Sequence, residues 1–69
     1  MKDYKVVYLI NTRSIWCIKI PVRYLKENNL SIPNETHLIH EFDDSLVVMD
    51  FFNQSVWIPK DIVEIEPGQ

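Results

Sequence analysis

The chain has 69 residues and a mass of 8.2 kDa, with 46% hydrophobic and 25% charged residues and a formal charge of −3. Such a length holds one domain that buries only about 60% of its unfolded surface, and the apolar share is that of a folding sequence, not a disordered one. One cysteine and one glycine exclude a disulfide framework, a cysteine-rich zinc site and a glycine-rich phosphate cradle.

Tyr4 to Ile10 (YKVVYLI) is rich in β-branched and aromatic residues and predicts a strand. After the polar break Asn11-Thr12-Arg13, Ser14 to Ile20 (SIWCIKI) predicts a second strand, so the two make a hairpin. Asn11 is expected to adopt the turn conformation that glycine usually supplies. Pro21 ends the second strand and suits the start of a helix, predicted over Val22 to Asn28. Val22 and Leu25 would face inward there, with Arg23, Lys26 and Glu27 outward. Asn28-Asn29 is a stop signal, and the stretch from Leu30 to Glu35 reads as a loop.

Thr36 to Phe42 predicts a third strand, Asp43-Asp44 a turn, and Ser45 to Phe52 a fourth strand. Asn53-Gln54 marks another turn before a fifth strand, Ser55 to Ile58. Pro59 to Asp61 reads as a single helical turn, and Ile62 to Ile65 as a short last strand. Residues 1–66 then form the domain and 67–69 a polar tail. The order predicts an α+β fold dominated by strands: a small bent antiparallel sheet or partly open barrel, with one short helix.

Two segments echo each other. Asn11, Ser14-Ile15-Trp16 and Ile20-Pro21 correspond in type to Asn53, Ser55-Val56-Trp57 and Ile58-Pro59. The unequal gaps point to shared local logic, a strand stopped by proline and followed by a turn, more than to duplication. The second segment and its continuation, SVWIPKDIVEI, resembles the end of a Src-homology-3-like barrel, with Trp57, Pro59, Val63 and Ile65 matching in type. The resemblance covers about a sixth of the chain and implies a small barrel. The first half lacks that family's acidic loop and aromatic-rich opening, and no functional residue carries over. The WIPK-containing tail also resembles those of small phage-encoded accessory proteins, which implies a mobile-element origin.

Charge is segregated along the chain: residues 1–34 carry +4 and residues 35–69 carry −7. Glu41, Asp43, Asp44 and Asp50 form a candidate acidic patch for a basic protein partner. Arg13, Lys19, Arg23 and Lys26, with Tyr4, Tyr8, Tyr24 or Trp16 nearby, form an alternative patch for nucleic acid. The net negative charge favours the acidic reading, since the acidic half repels phosphates.

His37 and His40 fall on opposite faces of the predicted third strand, which argues against a shared metal site. Cys17, between Trp16 and Ile18, reads as a small buried side chain and not as a nucleophile. By alternation Leu46, Val48, Asp50 and Phe52 share one face of the fourth strand, and Val47, Met49 and Phe51 the other. In the second strand Trp16, Ile18 and Ile20 oppose Ile15 and Cys17. Strands apolar on both faces predict that a partner protein, or a second copy in a homodimer, covers one of them. No cofactor, metal or catalytic set is expected. The run Val6 to Ile10 is too short for a signal-peptide core or a membrane span, and the two sequons, at Asn34 and Asn53, read as chance. With an unpaired cysteine, this leads to the expectation of a soluble cytoplasmic, non-enzymatic interaction module that modulates or inhibits a host protein.

Overall fold

The computed structural model describes residues 3–68. Seven strands and one helix follow in the order β1 (Tyr4–Leu9), β2 (Ile15–Pro21), α1 (Val22–Glu27), β3 (Glu35–Thr36), β4 (Leu38–Glu41), β5 (Ser45–Met49), β6 (Ser55–Pro59) and β7 (Glu64–Pro67). They form two sheets, β3-β1-β2-β7 and β4-β5-β6. The fold is thus α+β and strand-dominated, with a bent, barrel-like course that does not close. No helix among the described residues is long and apolar enough to cross a membrane.

The core lies between the sheets. Val7, Leu9, Ile15, Ile18 and Ile20 come from the first sheet, and Leu46, Val48, Val56 and Ile58 from the second. Leu25 of α1, Ile32 of the following loop and Val63 of the turn before β7 close its ends. In the two-turn helix Leu25 is buried and Val22 half-buried, while Arg23, Lys26 and Glu27 face solvent as expected. Asn29 and Asn53 have positive φ, 53° and 60°, and so make the turns that glycine makes elsewhere.

Several expectations are revised. The predicted strand Thr36 to Phe42 is two strands in different sheets. β3 pairs with β1 in parallel, so the first sheet is mixed and not antiparallel. The chain crosses to β4 at His37, whose carbonyl accepts the Met49 N–H at 3.2 Å. Thr36 ties the same corner from its side chain, donating to the Met49 carbonyl at 2.6 Å. The predicted strand Ser45 to Phe52 stops at Met49, because Asp50 folds the chain. The last strand runs through Pro67, and Gly68 then donates to the Ser14 carbonyl at 3.0 Å.

Asn11 does not take a positive φ. Its side chain instead accepts from the Leu38 N–H at 2.7 Å and donates to the Leu38 carbonyl at 2.9 Å. That clamp fastens the β1–β2 hairpin to the edge of the second sheet.

β2 also departs from simple alternation. In its pairing with β7, Ile15 faces Pro67 and Cys17 faces Glu66, so Trp16 is an extra residue. This bulge changes the phase of the strand. Ile15 therefore joins Ile18 and Ile20 in the core, while Trp16 stands out at 59% exposure.

Candidate interaction surface

The register of the second sheet sets one row of side chains across its outer face. His40 pairs with Val47, and Val47 with Trp57. The inward row, Leu38, Val48 and Val56, alternates with it, as strand geometry requires. Val47 is only 4% exposed although it points away from the core. His40 and Trp57 are its neighbours on either side in that row.

Phe42 completes the cluster. Its ring stacks on Trp57 with centroids 4.8 Å apart and planes 16° apart, and His40 meets it edge-on at 4.3 Å. Offset-stacked and edge-on rings are the favourable arrangements for aromatic pairs. Phe42 is held at the start of the β4–β5 turn by its N–H, which donates to the Ser45 carbonyl at 2.9 Å. Trp57 nevertheless remains 59% exposed and Phe42 39%.

Carboxylates rim this face at one end. Asp43 and Asp44 form the β4–β5 turn, and the Asp44 carbonyl accepts the Lys60 N–H at 2.9 Å. Lys60 reaches the Glu41 carboxylate at 2.9 Å. Asp43, Asp44, Pro59, Lys60 and Asp61 line a shallow depression of about 430 Å³. The structure thus brings Glu41, Asp43 and Asp44 to one end of the sheet.

Asp50 lies at the other end of β5 and serves the backbone. Its Oδ1 accepts from the Phe52 N–H at 2.8 Å and the Gln54 N–H at 2.9 Å. Asp61, by contrast, joins the acidic end although it was no sequence candidate. The signal for it was its place in the turn after Pro59.

The basic candidates are dispersed. Arg13 precedes β2 and Arg23 follows it, a separation of seven strand residues or roughly 23 Å. Lys19 pairs with Glu66 at 3.4 Å and Arg23 with Glu27 at 3.3 Å, while Lys26 lies exposed on α1. β7 brings acidic residues beside β2, so the charge split along the chain is partly undone in space.

The first sheet carries its own outer pair, Tyr8 and Trp16, edge-on at 5.5 Å. Cys17 lies beside them, 3% exposed and in register with Tyr8 and Glu66. Burial, and secondarily the Glu66 carboxylate, raise its thiol above the ordinary value of 9.0, with Lys19 opposing. A raised folded-state value favours the neutral thiol. Its contribution to stability is therefore complete below pH 9.0 and declines as pH climbs through the folded value. Iodoacetamide at pH 8 is expected to alkylate Cys17 at least about tenfold more slowly than in urea-unfolded protein. Equal rates would show that the site is open.

Exposed aromatic faces take aliphatic and cationic groups, and the carboxylates select positive charge. Scans against protein-family models, curated proteins and solved structures found no match.

Proposed function

We propose that this protein is a non-enzymatic interaction module that binds a basic surface of a partner protein through the outer face of its second sheet. The observation that carries the proposal is the Phe42–Trp57 stack, whose Trp57 stands beside the buried Val47 in the outer row and remains open to solvent near the Asp43-Asp44 turn. Preorganised aromatic anchors next to complementary charge are what protein interfaces concentrate. Nucleic acid has less support, because Lys19 and Arg23 are ion-paired and Arg13 lies far from the helix.

The run SVWIPKDIVEI supports reading the fold as a small Src-homology-3-like barrel: β6 ends at Pro59, a turn follows, and β7 returns. Its likeness to the tails of small phage-encoded accessory proteins supports a mobile-element accessory role, in which the module modulates or inhibits a cytoplasmic host protein.

Affinity capture from a host lysate, with wild type and the double variant Asp43→Lys/Asp44→Lys as baits, tests this. A protein enriched at least about tenfold by wild type over the variant, and released by raised salt, is the expected result. Equal recovery on both baits, or recovery of nucleic acid alone, overturns it.

A further inference from the structure

We infer that two copies of this chain join edge to edge, β6 against β6, by antiparallel strand addition. The inference rests on the backbone of the sheet edges and stands independently of the partner proposed above.

A sheet edge exposes unpaired N–H and C=O groups, and proteins normally protect it by shortness, charge, proline or cover. Three of the four edges here are protected. β3 has only two residues. β4 is clamped at Leu38 by the Asn11 side chain. β7 carries Glu64, Glu66 and Pro67 in four residues. β6 is different: Ser55, Val56, Trp57 and Ile58 bear no charge, and only its last residue is proline.

The β5–β6 register tells which groups of β6 are free. Lys60 N–H bonds the Asp44 carbonyl and Asp50 N–H bonds the Gln54 carbonyl. Antiparallel pairs alternate between bonded and non-bonded. Leu46–Ile58 and Val48–Val56 are therefore the bonded pairs between them. Ser55 and Trp57 consequently aim both N–H and C=O away from β5, and no described strand lies against them. Pro59 has no N–H, and its carbonyl already accepts the Ile62 N–H at 3.2 Å.

A second β6 satisfies this edge completely. With Ser55 of each copy opposite Trp57 of the other, the four free donors meet the four free acceptors in four hydrogen bonds. Val56 then sits on the two-fold axis, and Pro59 ends the ladder on both sides. The two three-stranded sheets become one of six strands. Their aromatic outer faces lie side by side and open, since strand addition uses the edge and not the face.

A contact confined to four hydrogen bonds along one short strand predicts weak, concentration-dependent dimerisation. Sedimentation velocity of the full chain from about 5 µM to 1 mM measures it. Ser55→Pro removes a donor that points away from β5, at the first residue of a strand where proline is tolerated. It deletes two of the four bonds and is expected to weaken dimerisation about tenfold or more, with unchanged circular dichroism. Trp57→Ala keeps every backbone donor and is expected to dimerise still. Should Ser55→Pro not fold, a synthetic chain N-methylated at Trp57 removes the other donor pair by the same logic. A wild type that stays monomeric at about 1 mM, or a folded donor-deleted chain that dimerises as wild type does, overturns the inference.

Discussion

Ile18→Ala is expected to lower the free energy of unfolding by about 4 kcal/mol. Ile18 has no solvent exposure and sits between the two sheets with Val7, Leu46 and Ile58. Truncation removes buried methyl groups and leaves a cavity that paired strands on both sides keep from collapsing. A chain of this length has a total stability on the order of 5 kcal/mol, so the variant keeps only about 1 kcal/mol, with roughly a sixth of its molecules unfolded at 37 °C. Urea unfolding followed by far-ultraviolet circular dichroism measures the loss. Ile10→Ala, at a position 56% exposed, is the control and is expected to shift stability by less than about 1 kcal/mol. Similar losses in the two variants would contradict the placement of the core.

Trp57→Ala is expected to weaken partner binding by about 30-fold or more while changing stability by less than about 1 kcal/mol. The two effects separate because the indole lies outside the core. Its ring is 59% exposed, and the Leu46–Ile58 and Val48–Val56 pairs beneath it are untouched by its removal. What is lost is the stacked platform with Phe42. Trp16→Ala provides the comparison: an equally exposed tryptophan on the other sheet, also paired with an aromatic ring. It is expected to leave binding within about twofold of wild type. Isothermal titration with the captured partner decides between them, and equal loss in both variants would remove the special status of the second sheet.

Much of the fold can be read from the residues, because β-branched runs broken by Asn, Asp and Pro mark strands directly. Asn28-Asn29 and Asn53-Gln54 mark the stop after α1 and the turn after β5, where Asn29 and Asn53 take the left-handed conformation. Three features escape such reading because they are tertiary. The bulge at Trp16 depends on the register against β7, which lies some 50 positions later. The crossing at His37 depends on β3 pairing in parallel with β1, which no local pattern encodes. Asp50 looks like a charge within a strand but is a turn residue, because its carboxylate answers two N–H groups beyond it.

The candidate site divides the same way. Glu41, Asp43 and Asp44 were legible as a cluster because they are neighbours along the chain. Phe42 and Trp57 are 15 positions apart, and only the β4–β5–β6 register stacks them. The two-sided hydrophobicity of β5 was the visible trace. Val47 is only 4% exposed on the outer face, between His40 and Trp57 in register, so part of what reads as an uncovered face is covered from within.

The outer face of the second sheet is tested most directly as the binding surface by titrating the isotope-labelled protein with its captured partner and following backbone and indole amide resonances. Shifts are expected to concentrate at His40, Phe42, Val47 and Trp57, including the Trp57 Nε1–H, and to extend to Asp43 and Asp44. Shifts centred on Tyr8, Trp16 and the first sheet, with the second sheet unmoved, would contradict it.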